Sequence, residues 1–255
     1  MRNWFVYLLA SLACIILLFL LIPLVKMIFG GDFSVVWETF QQKDVLDSIY
    51  LTMRVSFMAM LFVLCTGLPL AYLISRYDFF GKSLVEALID IPTMIPHTAA
   101  GIALLLVFGR GPIAEFFVTF GIKFSDAEPG IMIAMMFLSA TYLINGAKEG
   151  FNKVDIKLEK VARTLGANPL QVFLKISIPN AKKDIINGSL MMWGRGLGEF
   201  GAVVILVYHP MVAPVLIYDR FTSYGLAHSA PVAAIMIMIS IMIFLSVRFL
   251  NNKLK

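Results

Sequence analysis

Apolar blocks of membrane length restrict this chain more than any motif in it. Residues 5–29 form one apolar run, enough at 1.5 Å per helical residue to cross a hydrocarbon layer about 30 Å thick. Lipid offers no partner to a backbone N–H or C=O, so such a run must fold as a helix. Five further blocks follow, at 48–75, 84–108, 129–146, 185–208 and 230–250. The sequence therefore predicts an all-α integral membrane protein with six transmembrane helices. Its 60% apolar and 15% charged residues depart from soluble domains, which average roughly 45–50% and about 25%. The first block is too long for a secretory signal core of roughly 7–15 residues, and no small-x-small cleavage site follows it, so it reads as a retained helix.

The intervals between blocks carry the charge. Six spans put both ends of the chain on one side. On that side fall fourteen basic residues: Arg2, Arg76, Lys82, Lys148, Lys153, Lys157, Lys160, Arg163, Lys175, Lys182, Lys183, Arg248, Lys253 and Lys255. Only four, Lys43, Arg110, Lys123 and Arg220, fall opposite. That asymmetry places both termini in the cytoplasm of a multi-pass cell-membrane protein. It also accounts for the net charge of +5 without a nucleic-acid partner. Interval 109–128 has a semi-apolar middle that reads as a short surface helix, and 209–229 is a loop with Pro210 and Pro214.

The longest polar interval, 152–179, contains two short amphipathic helices. Val154, Leu158, Val161, Ala162 and Leu165 recur at helical spacing and share a face, with Lys153, Lys157 and Lys160 opposite. Asp155 reads as the N-cap and Gly166 as the left-handed residue that ends the first helix. Asn168 followed by Pro169 is a second start. Leu170, Phe173 and Leu174 give that helix its apolar face, and Pro179 is expected to end it. A hairpin with apolar surface to spare suits capture in a partner's groove; folding back on its own protein is the other reading.

Ionisable groups at membrane depth usually face a bundle interior or a water-filled path. The fifth span carries Arg195 and Glu199, four residues apart and able to pair on one helical face. Two readings stand: the span lines a translocation path, or the pair locks helices within one subunit. Gly194 and Gly198 form a small-xxx-small pattern that permits close helix approach. The third span holds Asp90, Pro92, Thr93, Pro96, His97 and Thr98. Its prolines break the helical hydrogen-bond ladder, as in helices that border a substrate path, though a kink can also serve packing alone. Pro92, Thr93, Pro96, His97, Thr98, Arg195 and Glu199 are thus the pore-lining candidates. Arg54 reads as a side chain snorkelling to an interface.

Other chemistry finds little support. Gly81-Lys82-Ser83 ends like a phosphate-binding loop, but Arg76 occupies its first glycine position. Gly196-x-Gly198-x-x-Gly201 matches the dinucleotide fingerprint only in letters, because it lies inside a span. Cys14 and Cys65 sit in apolar runs, His97, His209 and His228 have no ligand spacing, and the fifteen methionines suit packing in spans. No catalytic residue, metal site or cofactor is expected on this chain.

Glu159-Lys160-Val161-Ala162, then Gly166, then Ile176-Ser177-Ile178-Pro179 resembles the "EAA" coupling loop of ABC importer permeases, although Lys160 and Val161 depart from the pattern. The resemblance implies that this loop docks on a cytoplasmic ATPase, with Asp155, Leu158, Glu159, Val161, Ala162, Leu165, Gly166, Asn168 and Pro169 as the coupling residues. The stretches Asp90 to Gly109, Ala147 to Asp155 and Gly194 to Val203 are similar to molybdate/tungstate permease subunits, with sulfate permeases as near relatives. The resemblance implies the fold of type I ABC importer permeases, MetI-like, with a cytoplasmic coupling-helix hairpin. Within it, 1–47 would be the first helix and an outer loop, 48–250 the permease core, and 251–255 a cytoplasmic tail. It further implies a homodimer, two ABC ATPase subunits that hold ATP and Mg, and an extracytoplasmic oxyanion-binding protein. An ion-coupled secondary transporter would share the spans but should show inverted repeats and an acidic midplane site.

Overall fold

The structure is a computed structural model that describes residues 4–253. Helices α1 (Trp4–Phe29), α3 (Lys43–Arg76), α7 (Glu128–Lys153) and α13 (Leu226–Lys253) are built from the first, second, fourth and sixth apolar blocks. Each is long and apolar enough to cross a membrane. Between α1 and α3, where the sequence reads as loop, a short helix α2 (Phe33–Phe40) starts at Asp32, whose side chain accepts from Ser34 N at 2.9 Å. At the other end, α13 takes in Asn251 to Lys253, which the sequence assigns to a tail; Leu254 and Lys255 lie outside the described residues.

The third and fifth blocks are not single spans. The third becomes α4 (Lys82–Met94) and α5 (His97–Leu104), bent by 112°, with a π-helical turn at Leu105–Gly109 after them. The bend falls at Ile95–Pro96 because proline disfavours helical backbone in the residue before it, and Ile95 adopts φ −78° and ψ 137°. Pro92 does not break the chain; it lies inside α4 and is buried. The fifth block becomes α10 (Ile178–Leu197) and α11 (Gly201–Leu206), separated by Gly198 to Phe200. Among the described residues, four helices therefore meet the length and hydropathy of a span, or five with the bent pair taken as one, instead of six continuous ones.

Helix α7 lies at the centre, packed on both α3 and α10. Close approach to α10 comes from glycine: a Cβ at Gly146 would stand 2.8 Å from the Gly188 Cα, so the backbones touch where neither residue has a side chain. Three buried clusters run along the bundle. One joins Leu51 and Val55 of α3 to Ile131 and Met135 of α7, Ala100 of α5 and Val203 of α11. A second joins Tyr72 of α3 to Leu143 and Phe151 of α7 and Ile185 and Met192 of α10. The third packs α2 and α3 on α12 (Ala213–Tyr224) and α13. Helix α6 (Pro112–Thr119) is the short helix expected in interval 109–128. Helix α1 buries none of its residues and touches the bundle along α13.

The Gly194–Gly198 pattern does not bring helices together within the chain. A Cβ at Gly194 would meet nothing within 4 Å, and one at Gly198 would meet only the Arg195 carbonyl of its own turn, at 4.0 Å. The Arg54 guanidinium pairs with Glu128 at the start of α7.

Candidate functional site

Two places gather polar groups. The first is the hairpin of α8 (Ile156–Thr164) and α9 (Pro169–Val172). Its local signals act as the sequence implies. Asp155 accepts from Lys157 N at 2.9 Å and starts α8. Gly166 takes φ +90°, a conformation that costs glycine little, and its N–H reaches Arg163 O at 3.0 Å. Asn168 and Gln171 form a reciprocal capping box, with Gln171 N donating to Asn168 Oδ1 at 2.8 Å and Asn168 N to Gln171 Oε1 at 2.9 Å.

Pro179, in contrast, does not end the second helix. A π-helical turn at Phe173–Ser177 leads from α9 directly into α10, with Ile178 N bonding to Phe173 O. The wider turn takes up the register that a proline at position 179 would otherwise break, since proline cannot donate into the ladder. The second helical arm is thus continuous from Pro169 to Leu197.

The hairpin's inner surface is held by a carboxylate. Glu159 is 2% exposed, the one buried residue of α8. It accepts from Arg76 Nε at 2.8 Å, Ser177 Oγ at 2.8 Å and Tyr72 Oη at 3.1 Å. Arg76 also donates from Nη2 to Val154 O at 3.2 Å. A buried charge is tolerable when its lone pairs are satisfied and an opposite charge is adjacent, and both conditions hold here. The Tyr72 ring packs on Phe151 and Phe173, with centroids 5.4 and 4.9 Å away. Val154, expected on the outward apolar face, is buried in the same cluster, and Phe173 also turns inward.

The outer surface is open. Leu158, Val161, Leu165, Leu170 and Leu174 are exposed, Leu165 by 83%, while Ala162 is half-buried. Sequence reasoning named Glu159 but set it among residues facing a partner; the fold turns it inward. It missed Arg76 and Tyr72 as its companions. The available signal was slight: Arg76 directly follows the second span, and its charge is explained equally well by membrane sidedness.

The second place lies where the two broken helices meet. Helices α5 and α11 pack on each other so closely that a Cβ at Gly201 would stand 2.7 Å from the His97 Cβ. Glu199 sits past the end of α10, in the break, so it does not share a helical face with Arg195 as its spacing suggests. The two still pair, Arg195 Nη1 to Glu199 Oε2 at 3.0 Å. His97 joins them, with Nδ1 3.2 Å from Glu199 Oε1, while Arg195 Nη2 stands 2.8 Å from His97 Nε2. Ala202 N donates to Glu199 Oε1 at 3.3 Å. Glu199 is 1% exposed, whereas the Arg195 and His97 side chains are 28% and 39% exposed. Ser56 inside α3 marks the depth: Trp193 Nε1, two residues before Arg195, donates to its Oγ at 3.0 Å.

The remaining candidates are dispersed. Pro96 and Thr98 are exposed beside His97. Thr93 is exposed too and returns its hydroxyl to Asp90 O at 2.7 Å. Pro92 is buried and lines a cavity with Val63, Gly67 and Ile144 of α3 and α7. Asp90 is taken up by Asn145 of α7, whose Nδ2 donates to it at 2.7 Å.

Residues 64–255 match the protein family described as "Binding-protein-dependent transport system inner membrane component". The molybdate/tungstate transport system permease protein of Pyrococcus abyssi is 39% identical to the chain over 256 residues, covering 100% of this chain and 98% of the relative. A sulfate transport system permease protein of Synechococcus elongatus is 28% identical, covering 85% and 80%. Among solved structures, a chain of a bacterial ABC transporter involved in alginate import has the same fold, with a TM-score of 0.77 at 18% identity, covering 99% of this chain and 96% of the other.

Proposed function

The chain belongs to the family of binding-protein-dependent transport system inner membrane components, and from that premise we propose that it is the permease subunit of an ATP-driven importer of a tetrahedral oxyanion. Molybdate or tungstate is the first substrate, following the relative matched end to end, and sulfate the next, following the more distant one. The observation that carries the importer reading is the hairpin: an exposed apolar ridge, Leu158, Val161 and Leu165, fixed to the bundle by the buried Glu159.

The proposed assembly has two copies of this chain, two cytoplasmic ATPase subunits and an extracytoplasmic binding protein. In each copy six membrane passes, two of them broken, leave both termini and the hairpin in the cytoplasm. The ATPases hold ATP and Mg, and hydrolysis belongs to them. The hairpin's apolar ridge fills a groove on each ATPase, with Ala162, Gly166, Asn168 and Pro169 shaping the turn. Closure of the ATPase pair on ATP draws the hairpins together and rocks the spans between inward- and outward-open states. Differential contact in the two states is what shifts the equilibrium. The binding protein meets the opposite end, at 109–128 and 209–229.

The test is ATP hydrolysis in proteoliposomes that hold the chain with its ATPase. Binding protein loaded with molybdate, tungstate or sulfate is added from outside. Stimulation by one loaded form is the expected result and identifies the oxyanion. Failure of the chain to assemble with any ATPase would reject the reading in favour of an ion-coupled carrier.

A further inference from the structure

Arg195 has hydrogen-bonding capacity left over. A guanidinium carries five N–H donors. Here Nη2 faces the ring nitrogens of His97, at 2.8 Å from Nε2 and 3.0 Å from Nδ1. Toward Glu199 there is a close ionic contact of 3.0 Å but no aligned hydrogen bond, and Glu199 Oε2 is left without a donor. The charge of Arg195 is therefore balanced while most of its donors are unused. An arginine and a histidine both partly open at the depth of Ser56 cannot face lipid without heavy cost, so they face water or protein. Exposed Thr98 stands beside them.

We propose that Arg195 and His97 make the transit contact for the oxyanion inside the membrane, and that Glu199, buried behind them, keeps that contact weak. The proposal rests on the oxyanion-permease reading. A transport site must hold its ion long enough to pass it on and loosely enough to release it. An unopposed guanidinium in a dry setting binds a dianion too firmly for release. Glu199 prevents this by making the guanidinium–carboxylate pair neutral before the ion arrives. It also faces the imidazole, with Oε1 3.2 Å from His97 Nδ1, while Arg195 Nη2 lies against the same ring, 2.8 Å from Nε2 and 3.0 Å from Nδ1. That holds the guanidinium in place without occupying its other donors. The two breaks make the arrangement possible, because a continuous α10 would keep Glu199 on the helix surface.

The experiment compares uptake of labelled molybdate with ATP hydrolysis stimulated by loaded binding protein, in the same proteoliposomes. Arg195→Gln is expected to lower the molybdate moved per ATP roughly ten-fold or more, the equivalent of one charge-assisted hydrogen bond, while stimulated hydrolysis persists. Arg195→Lys should recover part of the loss. With Glu199→Gln, labelled molybdate should bind directly to the permease–ATPase complex without binding protein, at least about ten-fold more tightly than to wild type, and uptake should slow. Uptake and stimulated hydrolysis falling in proportion in Arg195→Gln and Arg195→Lys would overturn the proposal, since the cluster would then only hold the fold. Full uptake by Arg195→Gln, or no gain in binding by Glu199→Gln, would also overturn it. A wild type that moves no oxyanion would reject the permease reading itself.

Discussion

Glu159 Oε1 and Arg76 Nε stand 2.8 Å apart, with only 3% and 6% of their side chains exposed, and this pair fastens the hairpin to the end of α3. Removing one member leaves the other buried and unpaired, a loss of about 3–5 kcal/mol. Arg76→Ala should therefore release the hairpin, seen as rapid proteolysis between Asn152 and Pro179 in detergent. The double variant Arg76→Met with Glu159→Leu should restore much of the protection, because no charge is then stranded. Equal sensitivity of the single and double variants would show that the pair is not what holds α8.

The ridge opposite that pair makes a separate prediction. Leu158, Val161 and Leu165 are exposed, so changing them to Asp should alter the subunit's own stability by less than about 0.5 kcal/mol. Each should nevertheless abolish copurification with the ATPase and transport-coupled hydrolysis while the subunit still inserts. Wild-type uptake by these variants would remove the docking role from the hairpin.

Glycines along the α7–α10 contact should differ sharply by position. Gly146→Ala brings a Cβ to 2.8 Å from the Gly188 backbone and should cost about 1–3 kcal/mol through overpacking. Gly194→Ala has open space within the subunit and should raise its stability slightly, by about 0.5–1 kcal/mol, because glycine inside a helix is less favourable than alanine. The comparison is read as two melting curves in the same detergent. An unchanged Gly146→Ala curve would mean that α7 and α10 are less close than described.

Gly166 makes the reversal between α8 and α9 at φ +90°. Gly166→Val places a β-branched residue where L side chains are strained, at roughly 1–3 kcal/mol. Amide exchange in the hairpin should speed up while exchange in α7 stays slow. Uniform exchange rates would show that the turn carries no strain.

Much of this architecture was readable in the sequence, and the misses share a cause. Asp155, Gly166 and Asn168 were legible because caps are decided by residues within one turn of each other. The apolar blocks were legible because lipid leaves the backbone so few choices. The break before Glu199 was not, although the run of glycines from Gly194 to Gly201 was in view. Glycine serves both helix contact and helix interruption, and only the neighbouring α5 decides between them. Glu159 was misplaced for a similar reason. A carboxylate on a basic, exposed-looking helix turns inward only because Arg76, Tyr72 and Ser177 wait for it, and two of those belong to another helix.

The π-helical turn at Phe173–Ser177 makes one rod of everything from Pro169 to Leu197, about 40 Å long at 1.5 Å per residue. A flexible joint at Pro179 would have absorbed a push on the hairpin within a few residues. A stiff rod passes the same push to its far end, where Arg195 and Glu199 sit. The distance between the hairpin and the polar cluster is thus bridged as a crank bridges handle and bearing. One inserted residue within the rod would turn its far end by about 100°, leaving both ends intact and their timing lost.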